Sequence, residues 1–273
     1  MHRERQRRLE SDGAVAIVFR PEDPPGFVVR TELQKAASDN GFRLRRGTAG
    51  AWLQFGSTTA QGEIWLAGGS ARGPWLLSLE HAGVLAELGE REAAPLAGPG
   101  RKTFLFKSLG ELYETLALVY RLGVSLPDAP LRRFRAETAK LPRRTEAERL
   151  LVQRLGQDLF RAALLEYWGG RCPLTGISDE ALLRASHIVP WKDCADDDER
   201  LDVHNGLLLS ALWDAAFDRG LVTFSDEGAP RFSPRLSASA RAHLHWQQPL
   251  ALTPQHREKL AWHRARVFLD GEG

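Results

Sequence analysis

The sequence predicts an α+β protein, with a small N-terminal α+β domain joined to a second α+β unit flanked by helices. Three observations predict it. Between residues 51 and 106, four short apolar runs are separated by turns rich in Gly and Ser, as in a small sheet. Two capping-box sequences, Ser108-Leu109-Gly110-Glu111 and Thr145-Glu146-Ala147-Glu148, each open a run with apolar residues at helical spacing. Between these helices, Pro127, Pro130 and Pro142 interrupt regular structure inside a basic stretch. The implied organisation is a first domain over 1–125, a connector over 126–144 and a second domain over 145–273.

Along the chain, Pro21-Glu22-Asp23-Pro24-Pro25-Gly26 reads as a loop. Thr31 with Gln34 suggests a capped helix start, and Asn40-Gly41 suggests its end. Strands are expected at 51–55, 63–67, 74–79 and 103–106. The helix opened by Ser108 carries Leu112, Leu116, Val119 and Tyr120 on one face and is expected to stop at Gly123. The helix opened by Thr145 repeats Leu151, Leu155, Leu159, Ala163 and Tyr167, then meets Gly169-Gly170. Thr253-Pro254 marks the start of a last helix, since Pro suits the first helical position.

Charge separates the two halves. The net charge is +2, but residues 1–144 hold 22 Lys/Arg against 16 Asp/Glu, and residues 145–273 hold 15 against 19. A basic front half suits a polyanion, and an acidic back half suits a cation. Six of the basic residues, Arg132, Arg133, Arg135, Lys140, Arg143 and Arg144, sit in the connector, where they are candidates for DNA phosphate contacts. No apolar run approaches the ~18 residues of a membrane span. No apolar signal core follows the basic N-terminus, so a cytoplasmic protein is expected. Cys172 and Cys194 form no C-x-x-C pair, and Cys172 is expected to be a buried apolar residue.

The candidate chemistry lies in the second half. His187, Asn205 and Asp214 combine an imidazole, an amide and a carboxylate within one short segment. Phosphodiester hydrolysis needs an activated water, neutralisation of the added phosphate charge and help for the departing oxygen. A neutral imidazole can take the proton from water near neutral pH. A divalent cation held by a carboxylate can supply the other two.

The blocks Cys172-Pro173-Leu174-Thr175-Gly176, Leu183 through Trp191, Arg200-Leu201-Asp202, Asn205-Gly206-Leu207-Leu208-Leu209 and Phe217-Asp218-Arg219-Gly220-Leu221 resemble the HNH endonuclease superfamily, in its bacterial restriction-type branch. The resemblance covers about residues 145–270. It implies a ββα-metal fold, two short strands and a helix around one divalent cation, Mg²⁺ or Mn²⁺. It also implies that His187 is the general base and that Asn205 ties down the loop that orients it. Asp214 stands at the helix position for a metal ligand. Ser186 stands where many members carry a second ligand, and its neutral hydroxyl implies weak metal binding without DNA. Asp218, His204, Arg184 and Arg219 are candidates for outer contacts or for phosphate. The acidic run Asp193, Asp196, Asp197, Asp198 and Glu199 reads as a solvated loop, and Trp191 and Trp213 as small-core residues.

In the first domain, Trp52, Trp65 and Trp75 either form the core or stack on a flipped base beside Arg43, Arg45 and Arg46. The functional expectation is a metal-dependent DNA endonuclease of restriction type. Its partner is double-stranded DNA, modified DNA included, with a homodimer as the arrangement for cutting both strands. The competing expectation is a non-catalytic DNA-binding or regulatory protein on a decayed HNH scaffold.

Overall fold

The computed structural model describes residues 20–142 and 145–271. Helix α1 spans Phe27–Asp39 and starts before the expected Thr31. Thr31 lies inside the helix, and its hydroxyl donates to the Phe27 carbonyl at 2.8 Å instead of capping. At the other end, Asn40 is the C-cap and Gly41 takes a φ of 85°, a conformation that glycine adopts without penalty.

Strands β1 (Leu44–Ala49), β2 (Trp52–Gly56), β3 (Ile64–Gly68) and β4 (Trp75–Leu79) follow, then helix α2 (Ala82–Glu87) and strand β5 (Lys102–Phe106). The five strands pair in chain order, each antiparallel to the next. Strand β1 was not expected, because Leu-Arg-Arg-Gly-Thr-Ala shows no apolar alternation. It is an edge strand with mostly exposed side chains, so burial imposes no pattern on it.

Alternation along the inner strands makes two faces. Leu53, Phe55, Ile64, Leu66, Trp75, Leu77 and Phe104 join the main core, against which α1 and helix α3 (Leu109–Ser125) pack. Trp52, Trp65 and Leu76 lie on the opposite face beneath Ala94 and Leu96 of the loop before β5. That loop is pinned where the Gly98 and Gly100 amides donate to Thr103 Oγ1 and Ser78 Oγ. The three tryptophans are buried, so none presents a free ring face to a base.

Ser108 caps α3, accepting from the Glu111 amide. The helix runs through Gly123 rather than stopping there. A Cβ at Gly123 would sit 3.1 Å from Ala60 Cβ and from the Gln61 carbonyl oxygen, so this glycine serves close packing.

The expected connector is largely helix α4 (Asp128–Thr138). Pro130 falls in its first turn, where a missing amide hydrogen costs little. Phe134 and Thr138 are buried, while Arg132, Arg133 and Arg135 point outward. Helix α4 packs on α3 and on helix α5 (Glu146–Tyr167). Thr145 and Glu148 form the expected capping box. Gly169 and Gly170 end α5 with φ of 66° and 64°. The buried face of α5 is Val152, Gly156, Leu159, Phe160, Ala163 and Leu164, whereas Leu151 is 55 % exposed. The long helix packs against elements from both halves of the chain, which rotates its apolar stripe away from the simple repeat read in the sequence.

After α5 come a 3-10 turn (Glu180–Leu182), strand β6 (Leu183–His187), helix α6 (Asp197–Arg200), a second 3-10 turn (Val203–Asn205), strand β7 (Gly206–Ser210) and helix α7 (Ala211–Asp218). Strands β8 (Val222–Phe224) and β9 (Pro230–Phe232), helix α8 (Ala238–His243) and helix α9 (Pro254–Arg266) complete the chain. Thr253 caps α9, with Pro254 in its first turn. One hydrophobic core runs from the first sheet through α5 into the second half, and Cys172 is buried within it. No described helix is long and apolar enough to cross a membrane.

Candidate active site

Strands β6 and β7 are antiparallel, with His187 opposite Gly206 and Ser186 opposite Leu207. Helix α7 follows β7 directly and packs back on both strands. This ββα unit brings Ser186 of β6 to the first turn of α7, which carries Asp214, while the neighbouring His187 ring packs on Phe160 of α5.

His187 is half-buried and held on three sides. Its ring stacks on Phe160 of α5, with centroids 3.8 Å apart, and meets the Trp191 ring edge-on at 5.5 Å. Its Nε2 lies 2.9 Å from the Arg200 carbonyl oxygen. A carbonyl only accepts, so Nε2 carries the hydrogen and Nδ1 keeps its lone pair. Nδ1 has no hydrogen-bond partner among the described residues. Burial lowers the His187 pKa below the usual histidine value, opposed by the Arg200 carbonyl, so the ring is neutral near pH 7.

Gly206 makes the stack feasible. A Cβ there would fall 2.5 Å from Phe160 Cζ and 2.8 Å from a Leu164 methyl, so only glycine lets α5 approach β7 this closely. Phe160 was not singled out in the sequence, because nothing local distinguishes it from any other apolar helix residue.

Asn205 is fully buried, and its side chain hydrogen-bonds to the chain around His187 rather than to the ring. Its Oδ1 accepts from the Val189 amide at 2.8 Å, and its Nδ2 donates to the Val189 and Glu199 carbonyls at 3.2 Å each. Its own carbonyl accepts from the Ile188 amide at 2.9 Å. Asn205 thus clamps the chain just after His187 to the chain just before Arg200, whose carbonyl holds the His187 ring.

Ser186 and Asp214 meet: the Ser186 hydroxyl donates to Asp214 Oδ1 at 2.5 Å. Asp218, one turn further on, has its pKa raised by burial and then by the Asp214 carboxylate. Arg219 follows it and lines an open cleft of about 560 Å³ with Lys192, Trp262 and Arg266. Arg184 is exposed and donates to the carbonyls of Ala181 and Leu183.

Other candidates are engaged elsewhere. His204 is buried between two carboxylates, with Nε2 2.8 Å from Glu87 Oε1 and Nδ1 2.9 Å from Asp202 Oδ1. That placement removes it from phosphate contact. The acidic run is not a loosely solvated loop. Asp196 caps α6, Asp197 pairs with Arg200, Asp198 with Arg135 and Glu199 with Lys259. Arg133 pairs with Glu137 along α4. Lys140 is exposed after α4, and Arg143 and Arg144 lie outside the described residues.

Residues 172–225 match the family model described as HNH endonuclease. This segment is an HNH domain. A comparison with curated proteins gave no match. The HNH domain contains His187, Asn205 and Asp214, and it points to a nuclease with a nucleic-acid substrate. HNH nucleases in general use a divalent metal. Among the described residues, no group of three or more His, Cys, Asp or Glu converges as a cation cage. The donors that do meet in the HNH domain, Ser186 Oγ and Asp214, are both oxygens carrying one negative charge between them. They fit a hard divalent cation with positions left open for other ligands.

Proposed function

We propose that this protein is a metal-dependent DNA endonuclease of restriction type, with His187 as general base and a Mg²⁺- or Mn²⁺-like cation held by Asp214 and Ser186. One observation carries the reading. The His187 ring is fixed with Nε2–H on the Arg200 carbonyl, so the open Nδ1 lies on the residue adjoining the Ser186–Asp214 oxygen pair.

In this reading Nδ1 of His187 takes a proton from water as the water oxygen attacks phosphorus. The bond from phosphorus to the 3′ oxygen breaks, and the departing oxyanion takes a proton from solvent, leaving a 5′-phosphate and a 3′-hydroxyl. The cation would neutralise phosphate charge and stabilise the departing oxygen. Phe160 and Trp191 hold the imidazole between two apolar rings and keep it neutral before the proton transfer. Asn205 keeps the Arg200 carbonyl and the segment after His187 in register, which preserves the tautomer. Arg219, Lys192 and Arg266 beside Asp218, and Arg132, Arg133 and Arg135 on α4, offer phosphate contacts that orient the duplex without reading its sequence. Selectivity belongs to the N-terminal domain, whose exposed Arg43, Arg45 and Arg46 lie on or beside the edge strand β1. Cutting both strands takes two nicks, which a second copy would supply.

The test is nicking of supercoiled plasmid in Mg²⁺, Mn²⁺ or chelator by the wild type and by His187→Ala. The expected result is metal-dependent nicking that the variant loses while it still binds DNA. Undiminished nicking by the variant would refute the role of His187. The lone carboxylate at the metal position favours a second reading, a DNA-binding protein without catalysis. That reading predicts DNA binding with no nicking in any divalent ion.

A further inference from the structure

We propose that Glu87, from the N-terminal domain, is a positioning residue for the HNH site, acting through His204 on Asn205. The proposal rests on the nuclease reading above.

Glu87 is the last residue of α2, 117 positions before His204 and 80 before Tyr167. Its Oε1 accepts from His204 Nε2 at 2.8 Å, and its Oε2 accepts from the Tyr167 hydroxyl at 2.8 Å. Asp202 Oδ1 accepts from the other ring nitrogen of His204 at 2.9 Å and from its backbone amide at 2.8 Å. Both ring nitrogens therefore face carboxylates, which only accept. The ring must carry two hydrogens and a positive charge.

The side chains of His204 and Glu87 are 8 % and 12 % exposed. A buried cation is tolerated only while its partners remain in place. The groups facing it are Glu87 from α2, Asp202 from its own turn, Tyr167 from α5 and His256 from α9, whose ring lies 5.2 Å away. Burial and the nearby His204 charge keep His256 neutral, with its pKa lowered to about 4. Glu87 is thus one of two counter-charges, and the one that belongs to the other domain.

His204 directly precedes Asn205 in the same 3-10 turn. Asn205 clamps Val189 and Glu199, and the Arg200 carbonyl next to Glu199 holds the His187 ring. A path of hydrogen bonds and single covalent steps therefore runs from Glu87 to the base. Neutralising Glu87 leaves the imidazolium one counter-charge short. The turn then shifts or loses its proton, and Asn205 moves with it. A reacting group displaced by about 1 Å costs roughly a hundred-fold in rate, so a small movement of this turn is enough to be read in turnover.

The experiment uses the full chain carrying Glu87→Gln, which keeps the size and an acceptor oxygen but removes the charge. Glu90→Gln, an exposed acid just past α2, controls for loss of charge alone. The expected result is a kcat for plasmid nicking lowered roughly ten- to a hundred-fold, with KM for DNA and the near-UV circular dichroism unchanged. The Val189 amide and His187 ring resonances should shift in Glu87→Gln and not in Glu90→Gln. An unchanged kcat with unmoved resonances would overturn the proposal. So would a kcat loss accompanied by collapse of the near-UV signal, which would make Glu87 a packing residue only. If the wild type nicks nothing in any divalent ion, the nuclease reading fails separately. The resonances then decide, a shift at Val189 supporting the linkage and no shift overturning it.

Discussion

The Ser186 hydroxyl donates to Asp214 Oδ1 across 2.5 Å, tying strand β6 to the first turn of helix α7. The serine occupies the strand position next to His187, the proposed base, and the carboxylate sits where the positive end of the helix dipole favours negative charge. A hydroxyl in this place cannot add charge to a cation site. It can fix the carboxylate proposed to do so.

Replacing Ser186 with Ala removes that fixing bond and leaves Asp214 free to rotate. The half-saturating Mn²⁺ concentration for plasmid nicking should rise on the order of ten-fold, as for loss of a group that orients a metal ligand. Asp214→Asn should abolish nicking at any Mn²⁺ concentration. An unchanged metal requirement in Ser186→Ala would separate Ser186 from the site.

The pH dependence of nicking follows from His187. Its active form is neutral, and burial lowers its pKa below the free value of 6.5. The rate at saturating DNA should rise with pH along a limb whose midpoint lies below pH 6.5. A limb centred above pH 7 would mean that a different group is the base.

Stability should depend on pH in opposite senses through different histidines. His256 and His263 are buried and neutral, with pKa values lowered to about 4. Their folded values lie below the unfolded one, so their contribution is complete above pH 6.5 and is lost as pH falls through 4. Each loss amounts to roughly 3 kcal/mol. His204 is raised to about 9 by Asp202 and Glu87 against the opposing effect of burial. Its contribution is complete below pH 6.5 and is lost as pH rises through 9. Urea unfolding across this range should therefore show a maximum near pH 6.5. His204→Gln should flatten the alkaline limb and, by removing the charge beside His256, also soften the acid limb.

Gly206→Ala should force Phe160 and Leu164 aside, because the new methyl would stand 2.5 Å from the Phe160 ring. Overpacking of this kind costs about 1–3 kcal/mol. Because Phe160 stacks on His187, nicking should fall by more than the lost stability accounts for at temperatures where the variant is fully folded. Equal activity per folded molecule would show that the stack does not position the base.

Triple replacement of Arg132, Arg133 and Arg135 by Ala should weaken binding to all duplexes alike and flatten the salt dependence. Each lost phosphate contact lowers the log–log slope by about one. Arg133 and Arg135 already have carboxylate partners, Glu137 and Asp198, so Arg132 should contribute most. A change in sequence preference would instead place α4 against base edges.

Much of this molecule was legible from residues whose signals are local. Thr145 with Glu148, Thr253 with Pro254, and Gly169-Gly170 mark helix ends through backbone chemistry within a few positions, and each stands in the expected place. The inner strands read as continuous apolar runs because both faces are covered, one by helices and the other by a loop. What failed locally was context. Thr31 has the side chain of a cap, but Phe27 and Val28 continue the helix before it. Three prolines suggested an irregular connector, yet Pro130 is harmless in a first turn and Phe134 anchors α4 in the core.

By itself the sequence determined the chemistry available: an imidazole, an amide, a serine and a carboxylate in the spacing of an HNH domain. It could do so because a short ββα unit is built from neighbours in the chain. Only the tertiary structure decided how those groups are used. Phe160 meets His187 because Gly206 lets a distant helix close in. Ser186 turns to Asp214 across the unit. His204 is claimed by Glu87, from the first half of the chain. Such pairings depend on where separate elements come to rest, and a buried charge or ring takes whichever partner packing delivers, which no local pattern in the chain records.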